Sequence, residues 1–127
     1  MKTTYTAEEW RNRKTGRAKK YGNKRLKTAD GWFDSKGEWK RWAFLKAAER
    51  RGDISALERQ VTYDIKVNGA LVTKYVADYV YTNAAGQRVV EDFKGTVTRE
   101  FRLKAKLIKA LYDIEVKIVK TPNADLD

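Results

Sequence analysis

Between Ala56 and Gly95 apolar and polar residues alternate at period two, and the alternation is broken at Asn68-Gly69 and at the "NAAG" of residues 83–86. Two turn signals inside one alternating run predict three strands joined by two hairpins, an antiparallel meander. The middle strand, Leu71 to Tyr81, carries apolar residues on both faces, because Tyr75, Ala77, Tyr79 and Tyr81 alternate with Val76 and Val80. It is expected at the centre of a sheet, covered on both sides. Upstream, "FDSKGEWKRWAFLKAAERRGD" spaces Glu38, Trp42, Leu45 and Glu49 as one helical stripe, with Asp34 or Ser35 at the N-cap and Gly52 as the stop. Trp42 and Leu45 then face a core, and Glu38 lies one turn before them on the same stripe. Downstream, "TREFRLKAKLIKALYD" repeats Phe101, Lys104, Ile108 and Leu111 beside Leu103, Leu107 and Ala110, an amphipathic helix with a basic outer face. "IEVKIVK" alternates again and predicts a last short strand.

The predicted order is αβββαβ, an α/β (α+β) fold in which the second helix is a crossover that returns the last strand to a mixed four-stranded sheet flanked by helices. Residues 1–30 read as a basic, loose N-terminal arm ending in a turn near "ADG", residues 31–121 as the folded core, and residues 122–127 as a frayed tail. No internal repeat or second domain is apparent, and 127 residues at 42% hydrophobic suffice for one core.

Composition narrows the chemistry. The chain has no cysteine and no histidine, which removes zinc fingers, thiolate nucleophiles, imidazole bases and the serine and cysteine triads. Any catalysis must use carboxylate, lysine, hydroxyl and bound metal. The net charge is +11, and between Arg11 and Lys27 there are nine basic residues (Arg11, Arg13, Lys14, Arg17, Lys19, Lys20, Lys24, Arg25, Lys27) and no acid. Such a segment suits a polyanion, since neutralising phosphates releases counterions, although a solvated arm is the bland alternative. No run approaches the roughly 18 apolar residues of a membrane span, and the N-terminus has no apolar secretory region. An intracellular, cytoplasmic protein without a membrane partner is expected.

Against this background three acids stand out. Asp78 sits between Val76 and Val80 on the strand face they share, and in "VVEDFKG" Val90, Asp92 and Lys94 share one face while Glu91 lies on the other. If the "NAAG" hairpin closes symmetrically, Asp78 and Asp92 become neighbours, and two adjacent carboxylates recruit positive charge. Lys94 supplies one; with Glu38 added from the helix, three acids face one lysine. A hard, oxygen-only site of this kind suits Mg²⁺ or Mn²⁺, and a basic protein presenting it would hydrolyse phosphodiesters. On a purely structural reading, Asp92 and Lys94 form an exposed strand-end pair worth roughly 0–1 kcal/mol, and Asp78 is tied up by a hydrogen bond or by Lys74.

The helix glutamate followed by "VADYV" and "EDFK" in an αβββαβ order resembles the PD-(D/E)XK nuclease superfamily, whose core is restriction-endonuclease-like. The wider pattern "YGNK…FDSKGEWKRW…LERQVTYDI…YVADYVY…VVEDFKG" resembles a small phage-encoded branch near the phage-type Holliday-junction resolvases, with Ala77 where the family name has proline. The resemblance implies Asp78 and Asp92 as metal ligands, with the Phe93 backbone carbonyl as a further ligand. It implies Lys94 as the catalytic lysine and Glu38 as a helix acid binding metal directly or through water. Gln60 matches a polar residue that some branches place near the site, or is a core-edge amide. Thr96, Thr98 and Lys104, opening the second helix, either hold phosphate or are solvated. A homodimer cutting branched duplex DNA such as a Holliday junction, with Mg²⁺ and with Mn²⁺ as substitute, follows from the same resemblance. A non-catalytic DNA-binding protein and a nuclease of structured RNA are the competing expectations.

Overall fold

The structure, a computed structural model, describes residues 25–126. The chain divides into two units at Lys36/Gly37. In the first, β1 (Leu26–Thr28) pairs antiparallel with β2 (Gly31–Phe33). The end of the expected loose arm is therefore a hairpin. Thr28 Oγ1 accepts from the Asp30 N–H and donates to the Gly31 carbonyl, and Gly31 supplies the positive φ the turn requires. Arg25 lies 5.0 Å from the centre of the exposed Trp32 ring, so a cation and an aromatic face are presented together.

The second unit carries the rest of the elements. Helix α1 (Lys36–Arg51) leads to the strands β3 (Ser55–Val67), β4 (Ala70–Thr82) and β5 (Arg88–Phe93), then to α2 (Arg99–Tyr112) and β6 (Val116–Val119). The sheet order is β3-β4-β5-β6, with the first two pairings antiparallel and β5/β6 parallel, which is the predicted meander with a crossover. The hairpins form where the turn chemistry placed them. Asn68 and Gly69 both have positive φ, and the Asn83 side chain accepts from the N–H groups of Ala85 and Gln87. Thr98 caps α2 by accepting from the Phe101 N–H, and Asp113 closes it in the left-handed conformation.

Two apolar clusters lie in this unit. Leu45 and Ala48 of α1 pack with Ile54, Tyr79 and Tyr81, joined by Trp42, Leu57, Val89 and Phe93. Phe101 and Ile108 of α2 pack with Ile65, Tyr75, Ala77, Val80 and Val90, joined by Val61 and Tyr63. The alternation does not run straight through. On β4, Tyr75 and Ala77 belong with α2 while Tyr79 and Tyr81 belong with α1; on β3, Val61 and Tyr63 are separated from Leu57 in the same way. Both strands exchange faces at the facing positions Gln60 and Asp78, and Gln60 has a left-handed φ of 55° there. The middle strand is thus not covered on both sides along its length, since Leu71, Val72 and Val76 are exposed near the β3/β4 hairpin. On α2, Leu103 and Leu111 are likewise exposed and only Phe101 and Ile108 of its apolar residues are fully buried.

Residues 122–126, expected to fray, are held. Arg41, fully buried on α1, forms a bidentate pair with Glu91 at 2.6 and 2.8 Å. Its remaining N–H groups donate to the carbonyls of Pro122, Ala124 and Asp125. The Tyr81 hydroxyl is shared between Glu91 Oε2 and the Leu126 carbonyl, and Lys117 donates to the Asp125 carbonyl.

Candidate active site

Asp78 and Asp92 meet at the point where β4 leaves β5. The ladder pairs Tyr79 with Glu91 and runs no further, so the next step would set Asp78 opposite Asp92. Beyond the ladder's end the Asp78 carboxylate takes over as acceptor, with the Phe93 N–H donating to its Oδ2 at 3.0 Å. The hairpin arithmetic therefore holds, and the change of faces at Gln60/Asp78 coincides with the site.

Asp92 is not an exposed strand-end residue, being 1% accessible. Its Oδ2 accepts from the buried Tyr75 hydroxyl, and Lys94 Nζ lies 3.8 Å from its Oδ1. Burial pushes the Asp92 carboxyl up to about 7, against the pull of Lys94 and of a hydrogen bond. A carboxylate held in this setting has less positive charge around it than its ionised form calls for. Lys74, the alternative partner for Asp78, instead approaches Asp64 at 3.9 Å.

The donors brought together are oxygens only. Mg²⁺ commonly uses one or two carboxylates and completes its shell with water and substrate phosphate, so a pair such as Asp78 and Asp92 fits such a cation. Among the described residues, no group of three acids close enough to hold a metal occurs. Glu38 is buried in the first turn of α1, where its carbonyl accepts from the Tyr79 hydroxyl at 2.5 Å. Burial raises the Tyr79 phenol, and the charges of Glu38 and then Asp78 push it the same way, so both acids are felt at one ring. Glu38 and the two aspartates thus do not form a three-acid ring. At Gly37 an added Cβ would come within 2.8 Å of the Phe93 ring, so glycine lets α1 approach the strand that carries Asp92.

Gln60 is exposed in its left-handed turn, across the ladder from Asp78, and is not a core-edge amide. Lys104 is paired with Glu100 at 3.3 Å and lines a cavity with Lys94 and Thr98. Arg25 and Lys27 belong to the first unit and are exposed, whereas Arg11, Arg13, Lys14, Arg17, Lys19, Lys20 and Lys24 lie outside the described residues.

Sequence reasoning missed Tyr75, which reads as one more core aromatic until the change of faces puts its hydroxyl on Asp92.

The raised Asp92 pKa has a defined sign. The group favours folding fully below its unfolded value of 3.8, and that contribution is lost as pH rises through about 7. In metal-free buffer containing EDTA, the Tm of Asp92→Asn minus that of the wild type should therefore increase from pH 4 to pH 8. A difference independent of pH would contradict this description of the carboxyl.

A family model described as a protein of unknown function (DUF1064) matches residues 18–124. No curated protein and no solved structure matches the chain.

Proposed function

The chain belongs to DUF1064, a family of proteins of unknown function, and we propose that it is a divalent-metal-dependent endonuclease acting on DNA phosphodiesters, with branched duplex as substrate. One observation carries this reading: a buried aspartate, Asp92, stands beside Asp78 with Lys94 at 3.8 Å, in a chain of net charge +11.

Asp78 and Asp92 would hold Mg²⁺, or Mn²⁺ in its place, with the Phe93 carbonyl as a further ligand and Glu38 acting through water. A bound divalent cation supplies Lewis-acid polarisation of the phosphoryl oxygen and a more acidic water. Lys94, on the Oδ1 side of Asp92, orients the attacking water or the phosphate and offsets charge developing on the phosphoryl oxygens. The Tyr75 hydroxyl fixes the carboxylate rotamer of Asp92. The Phe93 N–H does the same for Asp78. Basic residues of the arm, and Lys104 on α2, bring the polyanion to the site. Cutting both strands of a symmetric junction would take two copies, so a homodimer acting in the cytoplasm belongs to the same proposal. Among the described residues no helix is long and apolar enough to cross a membrane.

The test is incubation of the full chain with a four-way DNA junction, linear duplex and structured RNA, in Mg²⁺, in Mn²⁺ and in EDTA. Metal-dependent cleavage with preference for the junction is expected. Binding of DNA without cleavage of any substrate would make the protein a non-catalytic DNA-binding module, and preferential cleavage of the RNA would move it to a different substrate class.

A further inference from the structure

Beside Lys94 and the start of α2 lies a groove of about 280 Å³ whose lining includes Lys74, Tyr75, Lys94, Thr98, Glu100, Phe101 and Lys104. Three lysines against one glutamate give it net positive charge. Two of these lysines are not displayed as solvating groups: the side chains of Lys94 and Lys104 are only 34% and 25% exposed. Lys94 also lies 5.0 Å from the centre of the Phe101 ring, on the groove wall. The pairings these lysines make are loose, 3.9 Å for Lys74 with Asp64, 3.8 Å for Lys94 with Asp92 and 3.3 Å for Lys104 with Glu100. Contacts of that kind exchange readily for a phosphate oxygen that accepts charge-assisted hydrogen bonds. Thr98 places its hydroxyl at the N-terminus of the 14-residue α2, the positive end of the helix dipole.

Tyr75 connects this groove to the candidate catalytic carboxylate, because it lines the cavity while its hydroxyl donates to Asp92. An anion seated among the lysines is therefore next to Asp92 and is approached by Lys94 from the same side. The volume is at the small end of the range for ligand pockets, which suits one backbone unit of a nucleic acid and not a stacked base pair.

We propose that this groove seats the backbone phosphate adjacent to the one that is cleaved, with Lys74 and Lys104 as its dedicated contacts and Lys94 shared between the two phosphates. The assignment rests on the endonuclease reading above, and it places the strand running from the Asp78/Asp92 site toward the exposed β3/β4 hairpin. Neither Lys74 nor Lys104 then takes part in the chemistry.

The experiment is fluorescence-anisotropy binding of a labelled four-way DNA junction to the full chain in EDTA across a salt series. It compares wild type, Lys74→Ala, Lys104→Ala and, as control, Lys106→Ala on the same helix outside the groove. A thermal melt confirms that each variant is folded. Each groove variant is expected to lower the slope of log K against log[salt] by about 0.9 and to weaken binding roughly five- to tenfold near 0.1 M salt, with Lys106→Ala changing neither by as much. Groove variants no different from Lys106→Ala would overturn the groove assignment, and cleavage by the wild type in Mg²⁺ would show that the endonuclease reading survives it. Lowered slopes in a protein that cleaves nothing would establish the phosphate seat and remove the nuclease reading instead.

Discussion

Arg41→Ala is expected to destabilise the protein by about 3–5 kcal/mol, a large part of the roughly 5–15 kcal/mol that holds a domain together, and to lower the Tm accordingly. The magnitude comes from what remains behind. Glu91 is fully buried, and without the guanidinium its carboxylate keeps one neutral partner, the Tyr81 hydroxyl. The carbonyls of Pro122 and Ala124 lose their donor at the same time and that of Asp125 keeps only Lys117, so the terminal segment should become accessible to protease. The pair also has a bearing on the site, because Glu91 precedes Asp92 on β5 and its anchorage to α1 fixes that strand from the opposite face. Replacing both partners with apolar residues, Arg41→Met with Glu91→Leu, should recover much of the loss, since no charge is then left buried alone. Denaturant titration checks both, and a loss under about 1 kcal/mol for Arg41→Ala would contradict the described pair.

The second large effect is on cleavage. Asp92→Asn should reduce the rate by at least about a thousandfold, equivalent to roughly 4 kcal/mol of transition-state stabilisation, while binding the junction in EDTA as tightly as the wild type. Asn keeps the shape and an acceptor for the Tyr75 hydroxyl but removes the anionic oxygen a cation needs. Asp78→Asn retains the acceptor for the Phe93 N–H and should show the same separation of cleavage from binding. Lys94→Ala should cost about a hundredfold or more. Full cleavage by all three would remove the site, and lost binding in EDTA would mean that the aspartates act through the fold.

Much of the architecture was legible because it rests on local signals. Asn68-Gly69 and Asn83 mark the hairpins, the two helical stripes mark α1 and α2, and the second helix reads as a crossover that can return β6 to the same sheet, where it pairs parallel with β5. The Asp78/Asp92 juxtaposition followed from counting across one tight turn. What escaped depended on long-range partners. Arg41 reads as a surface residue on α1 until Glu91, fifty positions later, and the carbonyls of Pro122, Ala124 and Asp125 surround it. The terminal segment has no periodicity and looked unstructured for the same reason, as its order is supplied by Arg41, Tyr81 and Lys117. The face exchange at Gln60 and Asp78 could not be read from alternation, because a left-handed residue within a strand leaves no compositional mark when it is glutamine. Consequently Val76, expected to be covered, is exposed, and Tyr75, a core residue as its pattern predicts, also carries a hydroxyl on Asp92 that alternation does not announce. Glu38 was placed on the correct stripe of α1, but spacing alone could not say how far its carboxylate stands from the two aspartates.

The endonuclease proposal requires that Asp78 and Asp92 together hold a divalent cation. The most direct measurement is a crystal of the full chain soaked in Mn²⁺, with anomalous diffraction collected at the manganese edge. A peak within about 2.0–2.3 Å of carboxylate oxygens of both aspartates, absent from an Asp92→Asn crystal soaked in parallel, is the expected result. A well-ordered site with no peak at millimolar Mn²⁺, or a peak held by other residues that persists in the variant, would contradict it.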